Sequence, residues 1–369
     1  MAGIYIHVPF CKSRCIYCDF YSTTDLSSQA EAYVTALRRE MNMRRGELSE
    51  VPVETLYVGG GTPSSLPVPL LTDLLNSVAD IYPLAEGAEV TVEANPDDVT
   101  DEWLSALRRT PVNRLSMGVQ TFDDTLLHRL RRRHNSRQAT EAVERCLAAG
   151  YTNLSIDLIY GLPGQTETMW EDDVRHALSL GVTHLSAYAL SYEDGTPLTR
   201  MRDEGSIRET DEEVSLAMYR RLMELTDEAG WQHYEISNFC RSGFHSRHNS
   251  SYWQGVPYLG FGPAAHSFDG QRTRRWNLAN LRDYIQTECA PHECEHLTDD
   301  ELYDEYIMTR LRTSDGIQID QLSPSRRDYC MTMAEKHLKR GMLTLKDGKL
   351  RLTRHGIFVS NDIISDLMH

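Results

Sequence analysis

Short apolar runs alternate along most of the chain with segments whose apolar positions recur every three or four residues. The runs, rich in β-branched and aromatic residues, occupy residues 3–8, 54–58, 89–93, 113–119, 153–160 and 184–190, with a further candidate at 232–236. Helical spacing marks residues 29–45, 70–81, 137–149 and 169–180. Continuous apolar runs suit strands that are buried on both faces, and the alternation with helices predicts six βα units and a parallel sheet.

Chemically distinctive residues stand where these predicted strands end. Cys11 follows the first strand, and a GGGTP segment (residues 59–63) follows the second. Glu93 ends the third strand, Gln120 follows the fourth, and Asp157 lies late in the fifth. Active sites of (β/α) barrels are built at such strand ends. We therefore predict an α/β fold with a partial (β/α)6 barrel, although periodicity alone fits an open α/β sheet equally well.

The pattern changes after about residue 275. Helical spacing marks residues 280–287, 299–312, 326–340 and 354–367, and residues 343–353 alternate around Asp347-Gly348, which is a hairpin signal. This order predicts a small winged-helix-like module, and a helical cap that closes the barrel is an equal alternative. We predict a barrel domain over residues 1–275, which includes the HNSSYW segment, and a smaller C-terminal helical or winged domain over residues 276–369.

Composition and charge exclude several classes of protein. The chain has 369 residues, of which 40% are hydrophobic and 25% charged, as in an ordinary globular protein. Its 54 acidic and 38 basic residues give a formal charge of −16, which argues against broad binding to nucleic acid. No run approaches the roughly 18 apolar residues of a membrane span, and the first residues do not resemble a secretory signal. We predict a cytoplasmic protein without a transmembrane segment, and peripheral contact with a membrane stays open.

Three of the eight cysteines, Cys11, Cys15 and Cys18, form a CxxxCxxC run. A disulfide framework is not expected in a chain of this size without a secretory signal. Thiolates at this spacing can hold a small iron–sulfur core, and three ligands on a four-iron cluster leave one iron open to a further ligand. A zinc ion with a fourth ligand from elsewhere, for which His7 is a weak candidate, is the alternative.

The run and its surroundings resemble the signature of the radical S-adenosylmethionine (SAM) superfamily. CxxxCxYC after YIHVPF is similar, more narrowly, to the coproporphyrinogen III oxidase-like branch. Further motifs agree in order: GGGTP, VEANP (92–96), SMGVQTF (116–122), DLIYGLPGQ (157–165) and HNSSYW (248–253). The resemblance implies a [4Fe-4S] cluster on Cys11, Cys15 and Cys18 with SAM at the open iron, where SAM cleavage gives a 5′-deoxyadenosyl radical.

The resemblance also implies a set of residues that bind SAM. Gly60, Gly61 and Thr62 would contact its methionyl part. Arg132 is assigned by its count from Gln120, so Arg131 and Arg133 compete with it; Arg131 also stands where the family usually has glycine. Core packing of the tyrosines and a solvated helix face for the arginines are the alternatives. The whole implied set is Tyr5, Tyr17, Gly60, Gly61, Thr62, Glu93, Gln120, Arg132 and Asp157.

Two functions compete within this branch. Oxygen-independent coproporphyrinogen III oxidases, which act in porphyrin biosynthesis, carry a further cysteine two positions after the third; here that position is Phe20. HNSSYW matches the HNxxYW motif of the related HemW-type haem chaperones, which bind haem and deliver it to apo-haem proteins. We expect the chaperone function, with respiratory acceptors and a homodimer as open extensions, and assign no catalytic residue. A radical enzyme for another substrate is a third alternative.

The HNSSYW segment supplies the candidate haem residues. His248 offers an imidazole that can ligate iron, and Tyr252 and Trp253 can pack on a porphyrin face. A core segment without a haem role is the alternative, and His245 and His266 are nearby rivals for the axial position. A second cluster of metal-ligand residue types, HECEH (292–296), lies in a polar stretch without matching ligands elsewhere and is expected to be a solvated linker.

Overall fold

One twelve-stranded sheet organises the chain in this computed structural model, which describes residues 2–25, 29–48 and 51–369. Its strands follow the order β12-β11-β10-β9-β1-β2-β3-β4-β5-β6-β8-β7. Neighbours from β1 to β6 are parallel, and β9 is parallel to β1. The strands are β1 (Ala2–Val8), β2 (Val53–Gly60), β3 (Leu84–Ala94), β4 (Arg114–Gln120), β5 (Asn153–Tyr160), β6 (His184–Ala189), β7 (Gln232–Glu235), β8 (Asn238–Cys240), β9 (Tyr258–Phe261), β10 (His266–Phe268), β11 (Thr273–Asn277) and β12 (His292–His296).

Helices connect the parallel strands, as the alternation predicts. The α/β class is confirmed, and the hydrogen-bonded order of the described strands is open, with β12 and β7 at its two ends. The helices are α1 (Ala30–Met43), α2 (Val68–Ile81), α3 (Asp101–Leu107), α4 (Asp124–Arg129), α5 (Ser136–Ala148), α6 (Glu167–Ser179), α7 (Pro197–Asp203), α8 (Glu212–Glu228), α9 (Arg247–Trp253), α10 (Leu281–Gln286), α11 (Asp299–Leu311), α12 (Pro324–Lys339) and α13 (Ser360–Leu367). No helix in the described ranges is both long and apolar enough to span a bilayer.

The two faces of the parallel strands differ in chemistry. Side chains alternate along a strand, so one face of β1 carries Ile4 and Ile6, which are fully buried in the main core. The same alternation in β5 buries Leu158 and turns Asp157 to the opposite face. Because this holds from β1 to β5, the second face of the sheet collects the polar residues that the motifs contain.

Strands β10 to β12 extend the sheet beyond the βα units by antiparallel pairing. Residues 292–296, expected to be a solvated linker, form β12, an edge strand paired with β11, and all five of its side chains are exposed. Its lack of apolar residues hid it from the pattern. The predicted domain boundary after residue 275 falls inside β11; the division into domains stays a prediction.

Residues 299–368 have their own hydrophobic core and their own sheet. Strands β13 (Ile317–Gln318), β14 (Leu343–Lys346) and β15 (Lys349–Leu352) pair in the order β13-β15-β14. Asp347 and Gly348 join the last two with φ of 52° and 71°, the left-handed conformations that a two-residue hairpin loop requires. Ile307, Leu350 and Ile363 contribute to a second hydrophobic cluster between this sheet and helices α11 to α13. The predicted hairpin is confirmed.

Candidate functional site

The loop after β1 folds back on itself and brings the three cysteines to one cavity. Backbone hydrogen bonds from Cys11 N to Thr23 O (2.9 Å) and from Thr23 N to Pro9 O (2.7 Å) close the loop. Cys11 is buried, and Cys15 and Cys18 are half-buried. Burial raises the pKa of the Cys18 thiol to about 11 and also raises that of Cys11. Binding of iron by these thiols would therefore release protons.

This cysteine cavity has a volume of about 170 Å³ and opens at the carboxyl ends of β1 to β5. The structure brings together all of the predicted cluster and SAM residues except Tyr5. The predicted residues that line it are Cys11, Cys15, Tyr17, Cys18, Gly60, Gly61, Thr62, Glu93, Gln120, Arg132 and Asp157. Parallel strands end at one edge of a sheet, which is why residues so far apart in sequence meet here.

Of the three consecutive arginines, Arg132 reaches this cavity. Its guanidinium donates to Cys15 Sγ (3.2 Å) and to Asn95 Oδ1 (2.6 Å). Arg133 instead pairs with Asp98 (3.0 Å) at the cavity's outer side. Arg131 is exposed and has a φ of 57°, the left-handed region in which glycine is unstrained. The conformation is the one that the family's usual glycine would take without strain.

Two carboxyl groups lie beneath the cysteine loop. The Tyr57 hydroxyl donates to Glu93 Oε1 (2.6 Å). Burial, with a smaller contribution from Asp157, raises the pKa of Glu93 to about 7. Burial also raises the pKa of Asp157 to about 6. Near neutral pH, Glu93 is therefore partly protonated and can donate or accept a hydrogen bond.

The glycine triplet lets the end of β2 pack against the start of the cysteine loop. A Cβ at Gly61 would lie 2.9 Å from Phe10 O and 3.0 Å from Pro9 C, and neither backbone atom can move aside cheaply. This close approach sets Thr62 Oγ1 at 3.5 Å from Cys11 Sγ. The triplet thus fixes the cysteine loop on the sheet.

Several residues of the cavity wall were missed in the sequence, and three of them lie in or next to β3 and β4. Asn95, which holds Arg132, and Ser116 and Gly118 also line it. The two-residue period of a strand could have predicted two of them, because side chains two residues apart point to the same face. Asn95 follows Glu93 by two residues, and Gly118 precedes Gln120 by two.

A second and larger cavity, of about 770 Å³, lies between the β9–β11 side of the sheet and helix α11. Tyr5 faces this cavity, and Phe20 lines both it and the cysteine cavity. Tyr252 and Trp253, at the end of α9, line it as well. Its full aromatic set is Tyr5, Phe20, Tyr21, Tyr252, Trp253, Tyr258, Phe268 and Tyr306.

His248 lies behind this aromatic cavity. Its side chain is buried, with only 1% of the residue exposed, and both ring nitrogens are hydrogen-bonded: Nδ1 to Thr55 Oγ1 (2.9 Å) and Nε2 to the Tyr252 hydroxyl (2.8 Å). Burial lowers the pKa of His248 to about 3. In this structure His248 positions Tyr252.

The fit of the cysteine cavity to a cluster can be judged from its donors. No three His, Cys, Asp or Glu side chains within the described ranges converge on a point where one metal ion could bind. In a four-iron cluster each cysteine binds a different iron, so three sulfurs need only face one cavity. The three cysteines meet that condition, and the Arg132 guanidinium beside Cys15 suits a thiolate.

Comparison with known families and structures identifies the fold. A model of the radical SAM superfamily matches residues 5–177, and a model of the HemN C-terminal domain matches residues 297–359. The structure of coproporphyrinogen III oxidase (HemN) from Escherichia coli superposes with a TM-score of 0.86, covering 100% of this chain and 90% of that one at 21% identity. The fold is that of a radical SAM protein.

Sequence relatives show which family within the superfamily the chain belongs to. A protein named heme chaperone HemW from Mycobacterium tuberculosis is 35% identical over 99% of this chain and 94% of its own length. The one from Bacillus subtilis is 34% identical over 98% of both chains, and the one from Escherichia coli 30% identical over 98% of this chain and 97% of its own. The chain belongs to the radical SAM superfamily, in the HemW family of its coproporphyrinogen III oxidase-like branch.

Proposed function

We propose that this protein is a haem chaperone that binds haem and transfers it to haem proteins, and that it carries a [4Fe-4S] cluster with SAM at the open iron. The observation that carries the proposal is the aromatic cavity beside the cysteine cavity, with Phe20 in the wall of both. Membership in the HemW family supports it, since the relatives are named heme chaperones.

The cysteine cavity would hold the cluster and SAM. Cys11, Cys15 and Cys18 are the cluster ligands in this proposal, and a bound cluster would supply an electron and an open iron for SAM. Gly60, Gly61 and Thr62 form the edge of the cavity next to Cys11. Glu93 and Asp157 offer acceptors for ammonium or hydroxyl groups at its base.

The remaining residues of that cavity would orient SAM. Arg132 offers a cation, Gln120 a neutral donor and acceptor, and Tyr17 an aromatic ring between two ligand cysteines. Tyr5 lies on the far side of this wall, where it faces the aromatic cavity. Its contribution to SAM binding would therefore act through its neighbours: its hydroxyl is 3.1 Å from His7 Nδ1.

The aromatic cavity has the size and lining that a porphyrin needs. Its volume of about 770 Å³ lies within the range of roughly 300–1,000 Å³ that is usual for ligand sites. Rings from β9, β10, α9 and α11 offer apolar faces to a flat macrocycle, and Arg310 offers a cation for a propionate. Arg274 also lines the cavity, where it pairs with Glu305 (2.7 Å). His248, Tyr252 and Trp253 contribute as one unit, in which His248 fixes Tyr252.

Transfer requires a release route and an acceptor. The aromatic cavity is bounded on one side by α11, so a movement of the C-terminal module would open it. We propose apo-haem proteins as acceptors, a cytoplasmic location and a homodimer as the working assembly.

The test is a haem titration of anaerobically reconstituted protein, followed by transfer to an apo-haem protein. Wild-type protein is expected to show iron-dependent visible absorption, bind haem with a saturable spectral change and pass haem to the acceptor. The triple variant C11A/C15A/C18A is expected to lose the cluster absorption. The matched control C289A/C294A, which alters two exposed cysteines, is expected to keep it.

The cluster assignment and the chaperone function can be refuted separately. Unchanged iron content and absorption in the triple variant would refute the cluster assignment. Absence of haem binding, or conversion of coproporphyrinogen III to protoporphyrinogen IX by the wild-type protein, would refute the chaperone function.

A further inference from the structure

Two of the three histidines near the aromatic cavity already have both ring nitrogens engaged. His248 Nδ1 and Nε2 are occupied by Thr55 and Tyr252. His7 is 5% exposed, with Nδ1 at 3.1 Å from the Tyr5 hydroxyl and Nε2 at 2.8 Å from Tyr21 O. An imidazole can ligate iron only through a nitrogen with a free lone pair, so both would have to give up a buried hydrogen bond, at a cost of about 1–3 kcal/mol.

His266 is different. It is the first residue of β10, it is exposed, and it lines the aromatic cavity. Within the part of the chain that the structure describes, its ring nitrogens have no hydrogen-bond partner, and its ring stacks on Trp276 at a centroid distance of 5.9 Å. Partial burial of the ring and the nearby Arg274 lower the pKa of His266. A neutral imidazole is the form that binds a metal.

The strand pairing also points the His266 side chain toward the cavity. His266 and Phe268 lie on the same face of β10, because side chains alternate along a strand. Phe268 is paired with Tyr258 of β9 and with Arg274 of β11, and all three line the cavity. The intervening Ser267 is buried on the opposite face, where Arg44 donates to its hydroxyl (3.0 Å).

The opposite wall, formed by α11, offers an apolar side chain and a cation to the rest of a haem. Met308 and Arg310 of α11 line the cavity, and the Arg310 guanidinium lies 5.6 Å from the Tyr306 ring. Arg310 has no ion-pair partner in the described ranges, so it is available for a propionate. An iron held by His266 would thus lie between the β10 wall and the α11 wall.

We propose that His266 provides the nitrogen ligand to the haem iron, and that His248 acts as a positioning residue for Tyr252. This assignment rests on the proposed haem-binding function and specifies its metal contact. It separates the family's HNxxYW motif from direct ligation of iron.

The experiment is a ferric haem titration of the full, cluster-reconstituted chain, with ligation read by visible absorption and electron paramagnetic resonance. His266→Ala is expected to lose the nitrogen-ligand signature and to bind haem about tenfold more weakly, the effect of roughly 1.4 kcal/mol. His266→Gly is expected to regain the signature when imidazole is added. His245→Ala is the matched control, because His245 lies outside the cavity and bonds to Gln232 (2.9 Å).

His248→Gln distinguishes the two roles, and it is expected to retain the nitrogen-ligand signature. Retention of that signature by His266→Ala, or its loss in His248→Gln, would overturn the assignment. If wild-type protein binds no haem, the proposed function itself fails. If it binds haem and His266→Gly gains no new signal with imidazole, only the assignment of the ligand fails. Circular dichroism of each variant checks that the fold is intact.

Discussion

Replacing Arg44 with methionine should loosen the wall of the aromatic cavity without touching its lining. Arg44 follows α1, and only 4% of it is exposed. Its guanidinium donates to Glu40 Oε1 (3.0 Å) and to Gly260 O (2.8 Å). It also donates to Ser267 Oγ (3.0 Å), so it ties α1 to both β9 and β10.

The expected loss of stability depends on the hydrogen bonds that Glu40 would keep without Arg44. Breaking a buried ion pair by removing one partner costs about 3–5 kcal/mol. Here Glu40 would keep three neutral donors, from Tyr284, Asn277 and the Gly262 amide, at 2.7, 2.8 and 3.1 Å. We therefore expect the lower end of that range, about 3 kcal/mol, which is roughly a hundredfold change in the equilibrium for local opening.

Hydrogen–deuterium exchange of the strand β9 to β11 segment is the direct assay. Peptides from residues 258–277 should exchange about a hundredfold faster in Arg44→Met, whereas those from β4 and β5 should change less. Arg137→Met is the matched control, since Arg137 pairs with Glu141 on an exposed helix face, where water screens the two charges. Equal effects of the two variants, or acceleration below about tenfold, would refute the reasoning.

Three further changes test other features. Burial raises the pKa of Glu93 to about 7, so ionising this carboxyl destabilises the fold increasingly from pH 4.5 to about 7. Glu93→Gln should therefore flatten the fall in melting temperature of the cluster-free protein between pH 5 and 8, and an unaltered slope would contradict this. Arg131→Gly should stabilise by about 0.5–1 kcal/mol in thermal melting by relieving a left-handed residue, and destabilisation would count against it. Gly61→Ala, with its Cβ against Phe10 O, should reduce cluster content after reconstitution, and wild-type iron content would exclude this strain.

The repeating part of the fold was predictable because its signal is local. In strands β1 to β6, several successive side chains of the core face are apolar and buried, and the helices between the strands carry apolar stripes. Once those strands are parallel, their carboxyl ends must lie together, which predicts the neighbourhood of Cys11, Glu93 and Asp157 without any knowledge of distances. The cysteine cavity follows from this rule.

The aromatic cavity was not predictable in the same way. Its β10 wall is a strand of three residues, too short to show a period, and it is held by Arg44 from a distant helix. The environment of His248 depends on Thr55, on a strand far away in sequence. A motif displays which residue types are present, but the tertiary contacts decide which imidazole nitrogen is left unpaired.

Phe20 lies between the two proposed binding cavities and would couple them. The residue is 63% exposed and borders both cavities, so a molecule bound on either side can displace its ring. If the ring takes different positions when one cavity is filled and when it is empty, a ligand in either cavity changes the affinity of the other cavity for its own ligand. The factor is the same in both directions. Through this one side chain, haem binding would then change the affinity for the proposed cofactor, and cofactor binding would change the affinity for haem.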